Sequence, residues 1–286
     1  AIAAGSHYLD FGGNPAVVKR QILANGPARQ HDVAIVPDCG LAPGLANVIA
    51  AGLIADSEAD ALDSVQIRVG CLPQVPRGTL QYQLAFYAGG LINEYVEPCE
   101  VVTDGALQAV EPLTRTESLY WDGLGDLEAF ATAGGISTMC QDYLGIVREL
   151  EYKTIRYPGH GRIFRAMAEI GLLDDTPRLV AGQQLAPRAL LEDLLAESLP
   201  RDEPDVVLVR ISVAAAGREC SVDLEDRHDG RFSALARTTA FPATALCDLL
   251  LRREVKFRGA AAMHNAVDAD ALLTELAQVG LSLSPR

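Results

Sequence analysis

Positive charge is scarce in this sequence. Its 24 lysines and arginines stand against 38 aspartates and glutamates, for a formal net charge of -14. Such a chain lacks the basic footprint that nucleic acid or an anionic membrane surface recruits. Paired cysteines are missing too: Cys39, Cys71, Cys99, Cys140, Cys220 and Cys247 form no CxxC and no cysteine–histidine spacing of a zinc site. They read as free thiols of a reducing cytoplasm, with no metal expected. No uninterrupted apolar run reaches the roughly 18 residues of a membrane span, and the opening AIAAGSHYLDFGG has neither a basic n-region nor a long h-region. GxSxG, HExxH, the phosphate-binding P-loop and a complete GxGxxG are all absent.

What is present is apolar and rich in glycine turns. With 286 residues, 49% of them hydrophobic, the chain has material for one large or two ordinary domains. Residues 31–54, HDVAIVPDCGLAPGLANVIAAGLI, organise the rest. Val33 to Val36 read as a short buried strand stopped by Pro37. Asp38 to Gly44 then pack two glycines and a proline into a turn before a helix expected to open at Pro43. Upstream, His7 to Phe11 read as a strand, Gly12-Gly13-Asn14-Pro15 as its turn, and Pro15 to Arg29 as a helix. Strand, helix, strand, helix is the pattern of parallel βα units, whose glycine turns lie side by side at one sheet edge, where free backbone N–H groups place ligands.

From Asp63 the texture turns strand-rich. Strands are expected at 64–72, 79–86, 99–103, 107–113, 116–121, 127–132 and 150–156, with a hairpin of 205–215 and 219–226 across Gly217. Helices are expected at 137–147, 162–170, 187–199, 239–252 and 267–279, and a turn or helix at 89–95. Side chains alternate along 152–156, so Tyr152, Thr154 and Arg156 share one face and Lys153 takes the other. Arg156 suits a carboxylate through a bidentate pair, and Thr154 suits an amine or a water. His160, between two glycines, has the ordinary pKa of a proton shuttle. An arginine on a strand equally serves structural ion pairs, and Glu94 equally serves to solvate its helix.

YLDFGGN, VAIVPDCGLAPGLANVIA, VGCLPQ, GLINEY, LEAFATAGGISTM and YKTIRYPGHG, in that order across residues 7–161, resemble the saccharopine dehydrogenase-like family, most closely its lysine 6-dehydrogenase branch. The resemblance implies an α/β fold: residues 1–60 as the last βα units of a Rossmann dinucleotide-binding domain, and residues 61–286 as a mixed-sheet substrate and dimerisation domain. It also implies that the nucleotide fingerprint lies in roughly 100 residues preceding this chain. The implied activity is oxidation of an amino-acid amine by NAD or NADP, either the lysine ε-amine or a saccharopine-type secondary amine, in a homodimer. Gly12, Gly13, Asn14, Cys39, Gly40 and Leu41 would flank the nicotinamide end. Glu94, Thr154 and His160 are the implied catalytic residues, with either His160 or Glu94 moving the proton. Arg156, Tyr152 and Tyr157 would bind substrate. The competing expectation is a cofactor-free module that serves only dimerisation.

Overall fold

The computed structural model describes residues 1–286. A single 3₁₀ turn, Ile2–Ala4, ends at Gly5 in the left-handed conformation and leads into β1 (Tyr8–Leu9). The stretch expected as one helix over 15–29 is two, α1 (Pro15–Ile22) and α2 (Asn25–Gln30). Asn14 caps α1, its side chain accepting from the N–H groups of Ala16 and Val17. Pro27 lies in the first turn of α2, where its missing N–H costs nothing, so Asn25-Gly26-Pro27 opens a helix rather than closing one. Next come β2 (Ala34–Val36) and α3 (Leu45–Asp56). The helix starts at Leu45, not Pro43: Gly44 is its N-cap at φ 138°, and the Asn47 side chain accepts from the Gly44 N–H at 2.7 Å.

The strand-rich part follows as β3 (Leu62–Pro73), α4 (Ala88–Val96), β4 (Cys99–Thr103), β5 (Ala106–Val110), β6 (Glu117–Trp121), β7 (Gly125–Ala131), α5 (Met139–Asp142), β8 (Val147–Arg156) and α6 (His160–Glu169). The chain closes through β9 (Arg178–Val180), β10 (Gln183–Leu185), α7 (Pro187–Ser198), β11 (Asp205–Ala215), β12 (Arg218–Arg227), α8 (Ala234–Leu251), β13 (Gly259–Ala260), α9 (Met263–Ala266), α10 (Ala269–Gln278) and β14 (Ser284–Pro285). Two expected elements are corrected. Residues 79–86 form no strand: Gln81 turns to φ 48°, and the alternating Tyr82 and Leu84 bury against α4 and α6 without a ladder. Only Met139–Asp142 of 137–147 is helical, because Ser137 and Gly145 on either side take positive φ. The β9–β10 hairpin was not expected.

Three sheets form, the smallest being the β9–β10 hairpin. In the small sheet, of order β1-β2-β13, both pairings are parallel; its third strand comes from residues 259–260, so the C-terminal part of the chain completes it. The nine-stranded sheet runs β14-β12-β11-β3-β8-β4-β5, with β7 and β6 added beside β8. One edge of β8 carries two partners in succession: β4 bridges at Leu150, and β7 pairs Ala131 to Glu128 against Lys153 to Arg156. The Arg156 end of β8 is thereby held between β3 and β7. The larger core, 38 buried residues, lies between β3, β11, α3, α8 and α10. Each Leu, Ile or Val fully buried there contributes about 1.5–3 kcal/mol.

Expected from sequence only at 239–252, α8 begins at Ala234. Ser233 caps it, and the Asp205 carboxylate on β11 accepts from the N–H groups of Ala234 and Leu235. By length and composition, this 18-residue helix, with a mean hydropathy of 1.2, is long and apolar enough to cross a membrane, although charged and polar residues interrupt its apolar runs. Here its Leu246, Leu249 and Leu250 belong to the core.

The glycine turn before α3 leaves no room for a side chain. A Cβ on Gly44 would strike the Gly40 backbone, and its φ of 138° is one that L residues rarely adopt. Gly44→Ala is expected to destabilise the fold by about 2–3 kcal/mol, read as a lower urea midpoint at unchanged m-value. A midpoint within 0.3 M urea of the parent's, about 0.5 kcal/mol at a typical m-value, would contradict this account.

Candidate active site

The C-terminal ends of β1 and β2 deliver their turns side by side. Leu9 pairs with Val36, the Cys39 N–H donates to the Asp10 carbonyl at 2.8 Å, and Gly12 lies directly against the Asp38 carboxylate. Beneath these turns a cavity of roughly 400 Å³ opens between the small sheet, the β3–β8 floor and the first turn of α8. That volume is in the range of small-molecule sites. A second lobe of roughly 320 Å³ runs toward α4 and the Ala133–Gly135 turn, and the two share Gly13, Ala42, Pro43, Phe86, Glu94 and Tyr152.

Of the residues singled out from the sequence, Gly13, Gly40, Leu41, Glu94, Tyr152, Thr154 and Arg156 line the first lobe, and Gly12 and Asn14 the second. Three do not reach either lobe. Cys39 is fully buried with its thiol donating to the Val36 carbonyl at 3.1 Å, and burial pushes that thiol above its ordinary range. Tyr157 packs with Trp121 and Leu72, and its hydroxyl donates to the Pro73 carbonyl at 2.9 Å. His160 is 1% exposed, walled in by Tyr82, Tyr95, Phe130 and Phe164, with both ring nitrogens engaged. It offers the cavity no nitrogen, which places it away from the proton-shuttle position expected for it.

The face alternation along β8 is as the pattern predicts. Lys153 lies on the opposite face, ion-paired to Glu117 at 2.6 Å and Glu151 at 3.2 Å beside Arg68. Thr154 shares a 2.6 Å hydroxyl–hydroxyl bond with Thr132 of the neighbouring strand end. Tyr152 lies over Gly135, where any Cβ would collide with its ring.

Arg156 is the only lysine or arginine lining either lobe. Its Nε donates to the Tyr95 hydroxyl at 3.2 Å, its Nη1 donates to the Ile155 carbonyl at 3.0 Å, and its guanidinium stands 5.1 Å from the Tyr82 ring centroid. Nη2 makes no hydrogen bond, and the nearest carboxylate oxygen, Glu94 Oε2, is 3.9 Å away. Burial opposes the charge, but Tyr95, Tyr82 and Glu94 outweigh it and hold the guanidinium above its ordinary value. Glu94 is open to the cavity yet surrounded by protein. Burial pushes its pKa up to about 7, against the pull of Arg156. The cavity thus presents one permanent cation with unused donors beside one carboxyl poised to exchange a proton near neutrality.

Several site groups were not picked out from the sequence. Tyr95 stood inside the quoted GLINEY motif without a role. Asp38, 2% exposed with Oδ1 unpartnered, stood inside PDCG. Burial raises its pKa, while a 2.5 Å bond from Ser137 opposes the shift. Ser233, Leu235, Ala236 and Thr239, at the start of α8, line the cavity, and Asp205 of β11 holds that helix start in place.

Parallel strands ending in glycine turns above a mixed-sheet floor, with a cavity between them, define a mixed α/β protein with a candidate ligand site. The chain belongs to the family described as Saccharopine dehydrogenase C-terminal domain, which matches residues 40–281. Its fold is similar to that of saccharopine dehydrogenase (L-Glu forming) from Saccharomyces cerevisiae, with a TM-score of 0.73 at 16% identity over 96% of this chain and 78% of that one. It is also similar to the homospermidine synthase from Legionella pneumophila solved in complex with NAD, with a TM-score of 0.56 at 10% identity over 88% of this chain and 64% of that one. At such identities the likeness concerns the fold, the mixed α/β arrangement of parallel and antiparallel sheets expected from the sequence.

Proposed function

We propose that this protein is an NAD(P)-dependent oxidoreductase acting on the amine of an amino acid that carries a single carboxylate, of the lysine type. The observation that carries the reading is the pairing in one cavity of Arg156, its sole cation, with Glu94 held near neutrality. A saccharopine-type secondary amine brings three carboxylates and would call for further cations, which neither lobe supplies. The family membership and the NAD bound in the homospermidine synthase structure support the oxidoreductase class.

The residues that would hold the nicotinamide end are the Gly12–Asn14 and Gly40–Leu41 turns. Gly13 has no heavy atom within 4 Å of where a Cβ would stand, so the backbone there is open to close approach by a flat ring. When bound, NAD or NADP supplies a two-electron oxidant that accepts a hydride. Arg156 binds the substrate carboxylate through Nη2 and its remaining donors. Glu94 accepts the proton of the amine, which frees the nitrogen lone pair as the carbon–hydrogen pair leaves. The resulting imine takes up water and releases ammonia to give the aldehyde. Thr154 and Tyr152 orient the amine end against the floor.

The test measures reduced-cofactor formation by the protein from its complete reading frame, with lysine, saccharopine and 1,5-diaminopentane as substrates. Turnover of lysine in preference to both others is expected. Saccharopine as the preferred substrate would overturn the single-carboxylate reading. Absence of turnover with all three, together with absence of NAD and NADP binding by calorimetry, would leave a structural module.

A further inference from the structure

We infer that Tyr95 and His160 form a buried positioning relay that fixes the guanidinium of Arg156 for carboxylate recognition. The inference rests on the reading of Arg156 given above.

The direction of every bond in the relay follows from the chemistry of its partners. A carbonyl only accepts, so the 3.1 Å contact between His160 Nδ1 and the Leu80 oxygen places the imidazole proton on Nδ1. The ring is neutral, because burial and the nearby Arg156 charge push its pKa down to about 3 against the opposing pull of the Leu80 carbonyl. A neutral ring protonated on Nδ1 has Nε2 as an acceptor, so at 3.0 Å the Tyr95 hydroxyl donates to it. The Tyr95 oxygen is then left to accept, which the 3.2 Å contact from Arg156 Nε uses. Arginine has no acceptor, so no reversed arrangement satisfies all four groups.

The relay lies outside the cavity. His160 and Tyr95 are 1% exposed, and neither lines a lobe. Phe164 stacks on the imidazole at 4.8 Å and meets the Tyr95 ring edge-on at the same distance, so neither ring can turn without unpacking the other. Without the Tyr95 hydroxyl, Arg156 keeps only its own neighbour's carbonyl, at Ile155, as a hydrogen-bonded anchor. The histidine following the YPG turn therefore acts through tyrosine on arginine, as a positioning residue with no proton to exchange with substrate.

The experiment compares the dissociation constants of lysine and 1,5-diaminopentane by calorimetry, in the presence of NADH, which cannot accept a hydride from either amine, for the wild type, Tyr95→Phe and His160→Gln. Alongside it, ¹⁵N resonances of the wild-type His160 ring are recorded from pH 5 to 8. The wild type is expected to prefer lysine. Tyr95→Phe is expected to lose roughly tenfold in lysine affinity, the worth of a hydrogen bond to a charged group, with 1,5-diaminopentane changed less than about twofold. His160→Gln, which restores an acceptor for Tyr95, is expected to stay within about threefold for both. The ring is expected to be neutral and protonated on Nδ1 throughout. A Tyr95→Phe variant that keeps the wild-type preference, or that loses both ligands equally, overturns the relay alone. So does a ring protonated on Nε2 or titrating near pH 6, and that measurement stands even where a variant fails to fold. A wild type indifferent to the carboxylate overturns the reading of Arg156 instead, whatever the tautomer.

Discussion

Replacing Arg156 by leucine is expected to weaken lysine binding by about 100-fold or more while leaving 1,5-diaminopentane within about threefold. The size follows from the burial of the side chain, 4% exposed, where a charge-assisted, bidentate pair is worth about 2–5 kcal/mol when one partner is removed. No other cation lines the cavity to take over. Leucine leaves no charge stranded in the space that the guanidinium fills, and the Tyr95 hydroxyl keeps His160 as its acceptor, so the loss reads on recognition rather than on folding. The same variant carries a second readout. Arg156 is the group that opposes the upward shift of Glu94, so its removal moves the Glu94 pKa further up, beyond about 7. The acidic limb of the kcat/KM profile for 1,5-diaminopentane should move to higher pH with it. An unshifted limb in Arg156→Leu would disconnect the two groups.

Glu94→Gln is expected to lower kcat by about 100- to 10,000-fold and to abolish the acidic limb near pH 7, the ordinary yield of a positioned general base. It should also change stability in a direction fixed by proton linkage. Glu94 titrates in the folded protein at about 7 and has an ordinary value of 4.5. Between those values the native state holds a proton that the unfolded chain has released, so the stability that this group contributes is present below pH 4.5 and is lost as pH rises toward 7. Glutamine has nothing to titrate. The variant should therefore become more stable relative to the parent across that window, by on the order of 1–2 kcal/mol once the 31% exposure of the Glu94 side chain is allowed for. Urea midpoints at pH 4.5 and pH 8 measure it. A difference between variant and parent that is the same at both would show that Glu94 carries no such shift.

Much of this architecture was legible in the residue order, for local reasons. A continuous apolar run gave β2, and two-residue alternation gave β3. The Gly217 hairpin, the start of α7 at Pro187 and the Asp268-capped α10 follow from neighbours within a few residues. The same patterns failed where distant groups decide. Alternation in residues 79–86 looks like a strand, but a strand needs a partner edge, and the residues flanking this segment in space are the helices α4 and α6. The start of α8 is drawn back to Ala234 by a carboxylate about thirty residues away. A third strand of the small sheet, at 259–260, is two residues long and has no pattern of its own.

At the site the division is sharper. Side-chain alternation along a strand is local geometry, so the sequence alone put Tyr152, Thr154 and Arg156 on one face, and glycine spacing alone put two turns at one sheet edge. Which of the marked groups touches a ligand depends on burial, which sums contributions from every element packed nearby. That sum, made only in the tertiary structure, turned His160 from an expected proton shuttle into a neutral buried acceptor and lifted Glu94 to neutrality. Residue types and their spacing follow from the chain itself; the dielectric around each charge, and hence its chemistry, exists only once the sheets have closed around it.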